Sequence, residues 1–168
     1  MIQYQFFPKN SRTPDSLRNI VNIFFDKEGK ITSAENQLKS DEVLGILSKD
    51  IESLGYLVEK SKKLEDKIRV PVLFGRNDLL EKYFEVDCYN PNEKIVIEIE
   101  AGRAVANYQF LKDLFQASVM HNVDYLVIAV RNVYNERKDF EIVVNFLDTL
   151  YVSDRLRLPL KGILIIGY

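Results

Sequence analysis

Residues 84–130 read FEVDCYNPNEKIVIEIEAGRAVANYQFLKDLFQASVMHNVDYLVIAV, and the fold follows from how this stretch is parsed. Phe84–Tyr89 and Lys94–Glu100 are two strand-like runs. Between them lies Asn90-Pro91-Asn92-Glu93, a turn signal, so the pair predicts a hairpin. Gly102–Met120 carries helical apolar spacing through Val105, Tyr108, Leu111, Leu114 and Phe115. Val123–Val130 is almost uninterruptedly apolar, as expected of a strand covered on both faces.

Side chains alternate across a strand. Ile95, Ile97 and Ile99 therefore take one face of the second hairpin strand and build core. Val96, Glu98 and Glu100 take the other. On the first strand Asp87 points opposite to Val86 and Cys88. An in-register hairpin then brings Asp87 to the two glutamates across the ladder. Acids are seldom buried unless paired or bound to metal, so this is the one place where the chain breaks its own hydrophobic pattern, and such breaks tend to be functional.

Three carboxylates at close range repel one another, which a divalent cation relieves. Zinc and copper sites recruit His or Cys. This chain has one of each, His121 and Cys88, and Cys88 faces away from Asp87. An oxygen-only set at Asp87, Glu98 and Glu100 favours Mg²⁺, with Mn²⁺ as substitute. Mg²⁺ keeps waters and takes phosphate oxygens, which points to phosphodiester hydrolysis. The competing reading is a solvated sheet face on which these acids pair with Lys or Arg. Glu-x-Glu on a strand is common, and spacing alone leaves both readings open.

Outward from this centre, Ile2–Phe7 reads as a strand. Thr13-Pro14-Asp15 reads as a helix start with Thr13 as N-cap and Pro14 at the first position. The helix has an apolar stripe of Leu17, Ile20, Val21, Phe24 and Phe25. Ser40-Asp41-Glu42 starts a second helix, with a capping serine and acids in its first turn. Its buried face is Val43, Leu44, Leu47, Ile51 and Leu54, and it stops at Gly55. Tyr56–Glu59 enters a strand, Lys60–Lys67 reads as a solvated charged loop, and Ile68–Phe74 is a strand whose Pro71 suggests an edge or a break. Gly75–Asp78 is a turn. Asp139–Leu150 is a further amphipathic helix, and Leu158–Tyr168 a last strand. There are no repeats or low-complexity segments.

The 168 residues suit one domain with a real core, with 1–39 as an N-terminal extension packed on a core of 40–168. No stretch reads as a signal peptide or is long enough to span a bilayer. A single cysteine rules out an internal disulfide and fits a cytoplasmic protein. The formal net charge of −2 counts against a protein that merely coats nucleic acid. It does not conflict with an acidic metal site inside a local basic rim.

The run EVDCYNPNEKIVIEIEAGRAVANYQFLKDLFQASVMHNVDYLVIAV (85–130) resembles the PD-(D/E)XK nuclease superfamily, and within it the BamHI/BglII-like restriction endonucleases. The matching residues are Asp87, Glu98 and Glu100, and the resemblance extends over roughly Ser40–Val130. It implies an α/β fold with a three-layer α/β/α core around a mixed central β-sheet, Mg²⁺-dependent cleavage of DNA, and a two-fold homodimer. It implies that Asp87 and Glu98 hold metal, that Glu100 completes the site and positions the water, and that an acid from an early helix assists. Glu42 is the best match for that acid, with Glu52 as the weaker one. Three departures stand out. Val86 replaces the motif's proline, Glu100 replaces its usual lysine, and the chain has little room for a sequence-reading insertion. These departures motivate a second reading, a catalytically silent nuclease-fold subunit or a nucleic-acid-binding module.

Supporting contacts to phosphate are assigned to Arg103, Asn107, Lys112 and Arg76. Arg103 and Asn107 are four apart at the start of the predicted helix and share a face. Either contacts phosphate or orients Glu100, or Arg103 simply pairs with Glu100. Lys112 and Gln116 also fit plain solvated positions. Arg69, Arg76 and Asn77 border a turn that suits either a DNA backbone contact or an ordinary loop. Arg131, Arg137, Arg155, Arg157 and Lys161 are scattered basics with no visible grouping. His121 reads as a helix-terminus residue, and the aromatic residues fall at core spacing rather than as base-stacking platforms. No glycine-rich phosphate loop is present to support a third reading, a regulatory domain binding a phosphorylated ligand.

Overall fold

The computed structural model describes all 168 residues. The three most continuously apolar runs, β6 (Ile95–Glu100), β7 (Tyr125–Val130) and β8 (Gly162–Gly167), lie side by side and parallel at the centre of a six-stranded sheet. β1 (Gln3–Phe7) adds antiparallel to β8. β5 (Cys88–Asn90) adds antiparallel to β6, and β2 (Leu57–Val58) closes the far edge, giving the order β1-β8-β7-β6-β5-β2. Parallel neighbours need long crossovers, and α4 (Gln109–Val119) and α5 (Asp139–Ser153) supply them.

The period of two divides the core. Ile95, Ile97, Ile99, Val127, Ala129, Leu164 and Ile166 pack with Leu17, Ile20 and Phe24 of α1 (Asp15–Asp26) and Val43 and Leu47 of α3 (Ser40–Ser53). Ile31 of the single-turn α2 (Glu28–Ile31) joins them. Val96, Leu126, Ile128, Val130, Ile163 and Ile165 pack on the opposite face with Phe110 and Leu114 of α4 and Val143 and Leu147 of α5. The result is a three-layer α/β/α fold with a mixed central sheet, as the resemblance implies. Residues 1–39 supply the edge strand β1 and much of one helical layer. No helix is long and apolar enough to cross a membrane.

Several boundaries differ from the sequence reading. Phe84–Tyr89 is not one strand. β4 (Leu80–Val86) pairs with β3 (Ile68–Phe74) in a separate two-stranded sheet, and the chain changes sheets at Asp87 before β5. Val86 therefore enters the core beside Val96, whereas Cys88 enters the opposite one. β4 escapes sequence reading because its alternation has no buried face: Leu80 is 48% and Tyr83 36% exposed. Pro71 sits where the β3–β4 register is irregular, and its carbonyl accepts the backbone N–H of His121 (2.8 Å).

The helix expected over Gly102–Met120 begins only at Gln109. Tyr108 and Phe115, read as part of its apolar stripe, are 66% and 62% exposed. Residues 101–108 form a loop that starts at Gly102 (φ +94°), where a side chain would run into the Tyr134 ring. Tyr108 closes the loop in the left-handed region. The first helix starts one residue later than expected, with Pro14 at the N-cap. Lys39 rather than Ser40 caps α3, and the Glu42 carboxylate accepts the Lys39 N–H at 2.6 Å.

Candidate functional site

Asp87, Glu98 and Glu100 open onto one cleft of about 410 Å³. The glutamates project from β6 on the side of α4, with Val96, while the alternating isoleucines fill the other core. Asp87 joins them because the sheet change turns its side chain back across the end of β6, where its Oδ2 accepts the Ile99 N–H at 2.8 Å. Its carbonyl is held in turn by the Glu59 N–H, also at 2.8 Å.

A fourth carboxylate completes the group. Asp113 of α4 lines the same cleft, is only 3% exposed, and its Oδ2 has no hydrogen-bond partner. Buried polar atoms are nearly always satisfied, so an orphaned carboxylate oxygen beside three other acids marks a site suited to a positive charge. The sequence signal for Asp113 is its phase: it is the one acid that falls with Phe110, Leu114 and Ala117 on the buried stripe of α4.

Electrostatics express the same crowding. Burial pushes Asp87 up to about 6, even though the Ile99 N–H and Lys67 pull it down. Burial pushes Asp113 up to about 7, with the Asp87 charge adding to it and Lys112 opposing. Glu100 rises to about 8 through burial and then the charges of Asp113 and Asp87, with Lys112 and Arg103 opposing. Glu98 lies well above the usual range, through burial first and then Asp87, Asp113 and Glu100. Carboxyls raised above their ordinary range are the consequence of burying four acids in one hollow without a compensating cation.

The cleft also holds basic groups. Arg103, Asn107 and Lys112 line it, as does Gln116. Arg103 and Asn107 reach it from the 101–108 loop and not from a helix face, and Arg103 makes no ion pair with Glu100. Lys67 lies in the run whose sequence predicts a solvated loop. Its ammonium instead bonds both oxygens of Glu59 at 2.9 Å, and its side chain is only 19% exposed. Lys62 lines the cleft too. These residues were missed because residues 60–67 look like any surface charge run, and only their return beside Asp87 gives them a role.

Two expected residues lie elsewhere. Glu42 does not line the cleft. It faces a neighbouring hollow together with Glu52 and is engaged in capping α3. Asp41, one residue earlier, is the acid of α3 whose charge reaches Asp87. Arg76 is exposed in the turn at the tip of the β3–β4 hairpin, outside the cleft. His121 packs its ring edge-on against Phe74 at the end of α4, a structural placement.

No protein-family model matches the sequence, and no curated protein matches it. Among solved structures the fold is similar to the crystal structure of free BglII, with a TM-score of 0.52 and 10% sequence identity over 99% of this chain and 78% of that one. The fold is thus an α/β fold of restriction-endonuclease-like architecture. At this identity the likeness shows the fold alone.

Proposed function

We propose that this chain is a divalent-metal-dependent endonuclease acting on DNA, with Asp87, Glu98 and Glu100 as its acidic centre. The observation that carries the reading is the convergence of these three acids with the orphaned Asp113 in one cleft of a BglII-like fold.

The donor set fits a hard cation. Carboxylates dominate its donors and no His or Cys lines the cleft, and Mg²⁺ is commonly held by one or two carboxylates, its remaining positions taken by water and phosphate oxygens. As the side chains stand, no three His, Cys, Asp or Glu groups converge tightly enough to hold an ion by themselves, so water and phosphate oxygens would have to complete its shell. Asp87 and Glu98 are the residues assigned to hold Mg²⁺ (or Mn²⁺). When bound, the ion would offset the phosphate's negative charge and lower the pKa of a water. Glu100, flanked by Arg103 and Lys112, orients the attacking water. Asp113 supplies further negative potential at the base of the cleft. Lys67, held by Glu59, offsets the charge of Asp87. Arg103, Asn107 and Lys112 form the rim that meets phosphate oxygens. Two-fold pairing of chains, which would bring two such clefts to the two strands of a duplex, belongs to the same proposal and is read out by sedimentation velocity.

The test is cleavage of plasmid DNA with Mg²⁺ or Mn²⁺ beside an EDTA control and Asp87→Ala. Metal-dependent cutting lost in the variant is the expected result. Equal cutting by a folded Asp87→Ala protein would refute the assignment. The absence of a three-acid cage, together with Glu100 in place of the usual lysine, favours the second reading, a catalytically silent nuclease-fold module. That module would show no Asp87-dependent stabilisation by Mg²⁺ or Mn²⁺ in thermal unfolding.

A further inference from the structure

A second hollow of about 420 Å³ adjoins the acidic cleft, the two sharing Ser40, Lys62, Glu100 and Arg103 along their common wall. Its character is the opposite of the cleft's. Lys39, Lys62, Arg103 and Arg131 line it, against the acids Asp41 and Glu100. Arg131 decides its reading. This residue directly follows β7, whose last residue Val130 stands in register beside Glu100, so it lies at the carboxyl ends of the parallel strands, where open α/β sheets bind ligands.

Arg131 is 8% exposed, yet it makes no ion pair. One terminal nitrogen donates to the Leu38 carbonyl, the buried Nε has no partner, and the guanidinium lies over the Tyr134 ring at 5.1 Å. Three other basics downstream are already committed: Arg137 to the fully buried Asp139, Arg157 to Asp154, and Lys161 to Asp124. A buried cation without a counter-charge is costly, and a partner normally offsets it. No carboxylate of this chain serves, since the acids nearest in the hollow, Asp41 and Glu100, are not within ion-pairing distance of it. The missing partner is an anion from outside, small enough for the hollow and planar or tetrahedral enough for the guanidinium fork to grip.

We propose that this hollow is a phosphate subsite, in which Arg131, assisted by Arg103 and Lys39, binds a non-scissile phosphate of the nucleic-acid backbone next to the one presented to Asp87 and Glu98. The nucleic-acid identity of the ligand rests on the nuclease reading; the anion site itself does not. The Tyr134 ring, which itself packs over Gly102, backs the guanidinium, and the Tyr168 hydroxyl donates to the Glu100 carbonyl of the acidic strand at 3.1 Å.

The experiment uses EDTA throughout, so neither metal nor turnover is needed. Thermal unfolding is followed in inorganic phosphate against sodium chloride of equal ionic strength. Binding of a fluorescent DNA duplex is followed by anisotropy across a salt series. Parent, Arg131→Gln and Arg103→Gln are compared, the last being exposed and safe for folding. Phosphate should raise the parent's Tm by roughly 3–5 °C at tenfold its Kd. Arg131→Gln should lose that rise, bind duplex about tenfold more weakly, and show a salt slope smaller by about one. Arg103→Gln should weaken both readouts in part. If Arg131→Gln does not fold, an Arg103→Gln protein with unchanged phosphate response and duplex affinity overturns the subsite. So do parent-like values for folded Arg131→Gln. Phosphate binding through Arg131 without any change in duplex affinity or slope overturns the backbone assignment. Failure of the plasmid assay alone, with these shifts present, removes the nuclease reading and leaves the anion site standing.

Discussion

Replacing Asp113 with Asn tests the electrostatic account of the cleft most directly. The side chain is 3% exposed, its Oδ2 is unpartnered, and its pKa stands at about 7 against an ordinary 3.8. A raised acid binds protons in the native state that the unfolded chain has already lost. Metal-free stability must therefore fall as pH rises from about 4 to about 7. The shift is roughly three units at ~1.4 kcal/mol each, an upper limit of about 4 kcal/mol. Part of it is repulsion from Asp87, itself raised to about 6, so some of the cost is relieved when Asp87 takes the proton instead, and about 2–4 kcal/mol is a fair range. Asn is nearly isosteric and never carries the charge. The advantage of Asp113→Asn over the parent should be small at pH 4, present in part at pH 5, and complete by pH 8, where it reaches roughly 5–15 °C in Tm for a domain of this size. The assay is urea and thermal unfolding by circular dichroism in EDTA between pH 5 and 8.5, then with Mg²⁺, which should stabilise the parent more than the variant at pH 8. Parallel stability curves for the two proteins across this range would refute the reasoning, because they would mean that Asp113 titrates normally and does not share the hollow with Asp87 and Glu98.

Two further perturbations probe the frame around the acids. Gly102→Ala places a side chain at φ +94° and within 2.4 Å of the Tyr134 ring; it should cost about 1–3 kcal/mol in urea unfolding and disturb Glu100, two residues away, with Tyr134→Ala in the same chain relieving only the steric part. Lys67→Met leaves Glu59 unpaired beside Asp87; it should cost about 1–3 kcal/mol at pH 7 and much less in acid, where carboxylates are neutral, and Lys67→Met combined with Glu59→Gln should recover most of the loss in the same measurement.

Much of the site was legible from residues 84–130 because strand alternation is a local rule. Once Ile95, Ile97 and Ile99 are seen to belong to the core, Glu98 and Glu100 have to stand on the other face, whatever the rest of the chain does. Local spacing failed where the backbone broke its own period. The loop of residues 101–108 carries apolar residues at helical spacing, yet Gly102 and the left-handed Tyr108 keep it out of α4. β4 lies on a hairpin with little to bury, so its seven residues send no periodic signal.

The sequence by itself determined the central strands and the helices that flank them, the face on which the two glutamates lie, and the oxygen-only character of any metal site, because each depends on neighbours within a few residues and on which side chains exist at all. Only the tertiary structure decided that the chain switches sheets at Asp87, that Asp113 and Lys67 arrive at the same cleft, that Glu42 stays outside it capping α3, and that Arg131 is buried with no carboxylate to pair with. Those facts depend on which faces of distant segments pack together, and the energy that selects them, burial of two apolar faces of one sheet, is indifferent to the sequence distance between the residues it joins.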